Sequence, residues 1–156
     1  MFEIREIKHK TEYNPLLISK QTSFTQSWFY GEWQEMMGRK VRRFEVKKDS
    51  ENIEFFPLIK YPLPCKESSL HVPHGPVLPR SSEEGGPPLI FLKIFRDKLL
   101  KIAKEENAVF VRFDNPNYGS EENLSKYFKK VPSYAYSSVY VQPKYEWVLD
   151  IDKPES

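Results

Sequence analysis

Apolar residues recur at three- and four-residue steps from Pro88 to Glu105. Leu92, Phe95, Leu99 and Ile102 form one stripe, with Lys93, Arg96, Lys101 and Lys104 between them, which predicts an amphipathic helix. Gly85-Gly86-Pro87 breaks the chain before it, and Asn107, a residue that tolerates a left-handed backbone, ends it. The period then changes to two. Val109, Val111 and Phe113 share one face of a predicted strand, Phe110, Arg112 and Asp114 share the other, and Asn115-Pro116 closes it. A mostly buried strand thus delivers a carboxylate to its own carboxyl end, where open α/β sheets tend to bind ligands, so Asp114 is the first candidate site residue. Asp-Asn-Pro is also ordinary turn chemistry, and a capping role for Asp114 is the competing reading.

The same patterning orders the rest of the chain. Phe2, Ile4 and Ile7 predict a first strand, followed by a short helix that starts at Thr11 or Asn14 and ends near Lys20. Over residues 26–37, Trp28, Trp33, Met36 and Met37 fall near one stripe, with Thr25 as cap and Gly38 as stop; large aromatics at this spacing predict a core-facing helix. Val41 to Lys47 and Ile53 to Tyr61 read as a hairpin joined by Lys48 to Asn52, with Pro57 at a bulge or an edge. Leu70 to Val72 predicts a brief strand before the turn of Pro73-His-Gly-Pro-Val77, and residues 79–87 an exposed loop. Ser120 caps a helix reaching Phe128, Tyr134 to Val141 reads as strand or exposed loop, and Tyr145, Trp147, Leu149 and Ile151 alternate as a last strand. The sum is an α/β (α+β) protein with a mixed, largely antiparallel sheet and the helices of 26–37 and 88–105 packed on it.

Composition narrows the function classes. At 156 residues the chain is about one domain, and 39% hydrophobic residues suffice for a core. A net charge of +2, from 24 basic and 22 acidic side chains, gives no long-range field, so no DNA partner is expected. Arg39, Lys40, Arg42, Arg43, Lys47 and Lys48 cluster, but alternation sends Arg42 and Arg43 to opposite faces, which favours a solvated hairpin over a phosphate-binding stripe. Cys65 is the only cysteine, which excludes an internal disulfide and fits a reducing compartment. His71 and His74, three apart on a strand or loop, lack the geometry of a helical metal pair, so no metal is expected. There is no basic-apolar leader and no apolar run near the ~18 residues of a membrane span, so the expected setting is cytoplasmic, with at most peripheral membrane contact. Asp152, Pro154 and Glu155 form a helix-start signal; residues 1–151 are therefore expected to be a first subdomain and 152–156 the start of a helix leading into a second, the alternative being a polar tail.

The order Phe24-Thr-Gln-Ser-Trp28, Gly38, hairpin, Pro73-His-Gly-Pro-Val77, helix, Val111-Arg-Phe-Asp-Asn-Pro116, Val141-Gln-Pro143 and Val148-Leu-Asp-Ile151 resembles the FemABX family of peptidoglycan bridge aminoacyltransferases, over nearly the whole chain. The resemblance implies the first of two acetyltransferase-like (GNAT-like) subdomains. It implies transfer of an amino acid from aminoacyl-tRNA to the third-residue amine of the stem peptide in a muramyl-pentapeptide or lipid-linked precursor. It places Gln26, Glu32, Gln34, Asp114 and Asn115 among the substrate-binding positions, with Asp114 beside the acceptor. Glu32 and Gln34 stand where some relatives carry a lysine that binds a nucleotide-linked acceptor, and Asn115 splits the Asp-Pro of relatives. No catalytic residue follows from it. No coenzyme A loop of the Arg-x-x-Gly-x-Gly kind is present, and no cofactor is expected. A coenzyme A-dependent GNAT N-acyltransferase and a non-catalytic peptide-binding module are the alternatives. A missing second subdomain is expected to leave an apolar patch around Tyr134 to Val141 that favours self-association.

Overall fold

The computed structural model describes residues 1–12, 23–75, 88–113 and 121–129. Five strands form one sheet in the order β1 (Phe2–Ile7), β2 (Lys40–Lys48), β3 (Glu51–Pro62), β4 (Ser68–Val72) and β5 (Ala108–Phe113). The first three neighbouring pairs are antiparallel and β4–β5 is parallel, so the sheet is mixed and largely antiparallel. A parallel pair needs a crossover, and α2 (Leu89–Glu105) lies between β4 and β5 in the chain. Helix α1 (Trp28–Met36), entered through a tight helical turn at Phe24–Gln26, lies on the opposite face, and α3 (Glu121–Ser125) follows β5.

Strand alternation decides which face each helix takes. Ile4, Phe44, Val46, Phe56, Leu58, Leu70 and Val72 point one way and form one core with Phe91, Leu92, Phe95, Leu99 and Ile102 of α2. All four residues of the predicted stripe are in it. Phe95 sits at its centre, edge-on to Phe56 at 5.5 Å and to Phe113 at 6.0 Å. Each such side chain contributes about 1.5–3 kcal/mol by leaving water. The other face carries Ile7, Phe55 and Trp28 of α1 as a second, smaller cluster.

Element ends follow local chemistry. At Gly38 (φ 78°) the helix closes with Gly38 N–H donating to the Glu35 carbonyl and Arg39 N–H to that of Gln34, the paired bonds of a left-handed helix stop. Asn107 (φ 51°) ends α2 in the same region of backbone space. The β2–β3 turn is tighter than expected: Asp49 and Ser50 both have positive φ, the two-residue turn whose twist suits a hairpin, and the ladder shifts register at Val46/Lys47. Pro57 lies just beyond the β3–β4 ladder, which starts at Ile59, as an edge position requires.

Three expectations are corrected. First, β5 is not mostly buried. Ser68 is level with Ala108 but Ser69 with Phe110, so Val109 is an extra residue in the ladder; Ala108, Val111 and Phe113 pack on the core, while Val109 and Phe110 are about half exposed. Second, the stripe of α1 does not face the core. Trp28, Gly31 and Gln34 are its buried positions, whereas Trp33, Met36 and Met37 are exposed, Met36 at 85%. Third, the basic cluster is not simply solvated. Arg42 does point away from Arg43, but each is held: Arg42 by Glu6 and Glu105, Arg43 by Glu35.

Expected features at 13–20, 79–87, 114–120, 134–141, 145–151 and 152–156 lie outside the described residues. No described helix is long and apolar enough to cross a membrane.

Candidate functional site

The carboxyl ends of the parallel pair are side by side, with Val72 of β4 level with Phe113 of β5. Both strands therefore hand the chain on at the same end of the sheet, to Pro73-His74-Gly75 after β4 and, in sequence, to Asp114 after β5. Asp114 and Asn115 themselves lie outside the described residues.

The turn before α1 closes over this end from the other side. Ser23 caps it, its Oγ accepting from Thr25 N–H, and Ser27 caps α1, its Oγ accepting from Tyr30 N–H. That differs from the expected cap, Thr25, whose hydroxyl is occupied elsewhere: it donates to the Pro73 carbonyl at 3.5 Å and stands 3.2 Å from His74 Nδ1. Ser23 Oγ is 3.1 Å from the same nitrogen.

Gln26 locks the two segments. It is fully buried, and its Nε2 donates to the His74 carbonyl at 3.0 Å. Its Oε1 is buried with no hydrogen-bond partner among the described residues. A Cβ placed on Gly75 would lie 1.5 Å from Gln26 Nε2, so only glycine lets the amide in. His74 itself has φ 46°. Two motifs far apart in sequence, Phe24 to Trp28 and Pro73 to Gly75, thus form one polar corner at the strand ends.

The other two described candidates are not brought to that corner. Gln34 is buried at the far end of α1, where its Oε1 accepts from Arg39. Glu32 is on the flank toward β1, accepting from Trp28 Nε1 at 3.0 Å and pairing with Lys10 at 3.4 Å. It lines a cleft of about 360 Å³ together with Glu6, Trp28, Glu35, Arg42 and Arg43. The charges there are matched: Arg43 lies over the Trp28 ring at 4.1 Å and is bidentate to Glu35, and Arg42 is bidentate to Glu6. The hydrogen bonds that Arg42 donates to Glu6 hold its guanidinium firmly charged.

A row of rings with one guanidinium links α1 to the sheet. Tyr30 and Trp33 of α1 are 5.6 Å apart, Arg39 lies 4.6 Å over Tyr61, and Tyr61 is 6.1 Å from His71. Burial pushes both phenols up, further for Tyr30 through its neighbour Tyr61, so each remains a hydrogen-bond donor at neutral pH. In the sequence His74 stands out only as a possible metal ligand, and Ser23 not at all. The signal for both was the polar Ser-x-Thr-Gln stretch opposite a Pro-His-Gly strand end.

No protein-family model matches the chain, and no curated protein matches it. Solved structures do. FemX superposes with a TM-score of 0.62 and 22% identity over 80% of this chain, which spans 31% of the FemX chain. The ribosomal-protein-alanine N-acetyltransferase of Brucella melitensis biovar Abortus 2308 gives 0.52 and 16%, covering 96% of this chain and 100% of its own. A predicted acetyltransferase of Clostridium acetobutylicum, solved with acetyl-CoA, gives 0.50 and 14%, covering 84% and 92%. What these proteins share with this chain is its architecture: it has the α/β, GNAT-like fold.

Proposed function

We propose that residues 1–151 form the first subdomain of an aminoacyltransferase, with 152–156 leading into a second. In this reading the enzyme moves an amino acid from aminoacyl-tRNA onto the stem-peptide amine of a muramyl-pentapeptide or lipid-linked peptidoglycan precursor, in the cytoplasm. The observation that carries it is the likeness to FemX across 80% of the chain, and the two-subdomain arrangement draws support from the 31% of FemX that this chain spans. The joining of Gln26 with Pro73 to Gly75, both from motifs that carry the FemABX resemblance, is consistent with it.

Transfer of this kind needs an amine brought onto an activated ester, and positioning supplies much of the rate. Asp114, assisted by Asn115, holds the acceptor ammonium at the strand ends. Gln26 fixes the facing loop. Glu32 and Gln34 bring no cation, so recognition of a nucleotide phosphate by this helix is not part of the reading. No cofactor or metal takes part.

A second reading, a coenzyme A-dependent N-acetyltransferase, is favoured by one observation: the Brucella enzyme matches over its whole length. A thermal-shift comparison separates them. A muramyl-pentapeptide nucleotide at about a hundred times its Kd raises Tm by roughly 5–10 °C under the first reading. Stabilisation by acetyl-coenzyme A alone reverses the assignment.

A further inference from the structure

We infer that the outer face of α1 docks the protein onto an anionic membrane surface. This stands apart from the acyl-transfer reading, since it needs only the helix and its rim. Along α1 the usual order of burial is inverted: Trp28, Gly31 and Gln34 are inside, while Phe29, Trp33 and Met36 are exposed, as are Phe24 before the helix and Met37 after it. The rings are contiguous. Phe24 is 6.0 Å from Phe29 and 5.8 Å from Tyr30, and Tyr30 is 5.6 Å from Trp33. Single exposed apolar side chains are ordinary, but a joined run of rings and methionines marks an interaction surface. The helix is held down without them, by buried Trp28, by the pairing of Arg43 with Glu35 and by that of Lys10 with Glu32.

Size selects the occupant. α1 has nine residues, so it is about 14 Å long and about 10–12 Å across, and its outer side offers on the order of 200 Å². A stable protein complex buries about 800 Å² per partner, so a second copy finds too little here. A lipid surface asks less, because a few side chains that enter the headgroup layer gain their burial from the lipid itself. Trp33 and Tyr30, apolar rings with one polar end, are the residue types that settle between hydrocarbon and water. No described helix is long and apolar enough to cross a membrane, so the contact is with the surface.

Charge agrees. Both carboxylates of the helix are engaged, Glu32 by Lys10 and Glu35 by Arg43. Lys8, which lines the same cleft as Glu32, adds positive charge on one flank. Arg39, bonded to the neutral Gln34 and lying over Tyr61, adds it at the carboxyl end. A basic rim around an apolar face suits anionic headgroups. A nucleic-acid strand would need a run of unpaired cations along the rings, which the paired Lys10 and Arg43 do not supply. Phe24 adjoins Thr25 and Gln26, so a docked α1 holds the polar corner of the strand ends close to the lipid.

Cosedimentation of the full chain with phosphatidylcholine vesicles, with and without about one third phosphatidylglycerol, tests this. We expect binding to the anionic vesicles that falls about tenfold in Trp33→Ala/Met36→Ala, and a blue shift of tryptophan emission that the double variant loses. Met36→Glu, at the most exposed position of the helix, should weaken binding as strongly with Tm unchanged. Leu100→Ala, which removes an exposed apolar residue of α2, should bind as the wild type does. Absence of binding, binding that ignores phosphatidylglycerol, or equal binding by the wild type and both α1 variants overturns the inference. So does a wild-type dimer, seen by light scattering, that dissociates in those variants, since the face then belongs to a second copy. Binding of a single-stranded RNA oligomer that both variants abolish assigns the face to nucleic acid and overturns it as well. None of these outcomes bears on aminoacyl transfer.

Discussion

Gln26 occupies the space that a side chain on Gly75 would need, its Nε2 only 1.5 Å from where a Cβ would stand. Neither partner can change alone without disturbing the other. Gly75→Ala should expel the amide and break its bond to the His74 carbonyl, costing about 2–4 kcal/mol from overpacking plus the lost hydrogen bond. Adding Gln26→Ala should recover part of that loss. Urea unfolding of the two single variants and the double checks this; strict additivity would mean that the two residues do not meet.

The ion pair beneath α1 gives an asymmetric expectation. Arg43 is buried against Trp28 and Gly31, whereas Glu35 is half exposed. Glu35→Ala strands a buried guanidinium and should cost about 2 kcal/mol, reduced from the value for a fully buried pair because Glu35 is partly screened. Arg43→Met leaves only a solvated carboxylate and should cost less. Equal losses in chemical denaturation would contradict this account of the pair.

Trp28 and Trp33 look alike in the sequence and differ in the structure. Trp28→Ala should cost about 3–5 kcal/mol and Trp33→Ala under about 1 kcal/mol, since the latter is about half exposed. Thermal unfolding of both variants decides it, and comparable losses would restore the outward stripe to the core.

That pair marks what was legible in the sequence. The stripe of α2 read correctly because Phe95 and Leu99 meet a sheet that is apolar on that side. The stripe of α1 misled because the sheet face beneath it is partly ionic, with Arg43 and Glu45 pointing toward it, so the helix turns glycine and glutamine inward and leaves Met36 and Met37 outside. The extra residue Val109 was invisible to a strict period of two, since a bulge is set by the partner strand. Gln26 was legible as a motif member, but its contact with Gly75 joins positions 49 apart, a separation no local pattern encodes.

Acid sensitivity should trace partly to Glu106. Burial alone would raise its carboxyl, but the ammonium groups of Lys40 and Lys60 outweigh this and hold it below the ordinary 4.5. A lowered native value means stability that is present at neutral pH and lost as pH falls through it. Between about pH 5 and about pH 3 the wild type should therefore lose more stability than Glu106→Gln. Parallel curves for the two proteins would show that the lysines do not hold the carboxylate.

The central claim is tested most directly by single-turnover aminoacyl transfer from aminoacyl-tRNA to a muramyl-pentapeptide, comparing the full-length protein with its Asp114→Asn variant. The substitution keeps shape and removes the charge proposed to hold the ammonium. Transfer should occur in the wild type and fall roughly ten- to a hundredfold in the variant, the ~1.5–3 kcal/mol of a charge-assisted hydrogen bond, with folding little changed. Equal rates in the two proteins, or wild-type transfer from acetyl-coenzyme A and not from aminoacyl-tRNA, would contradict it.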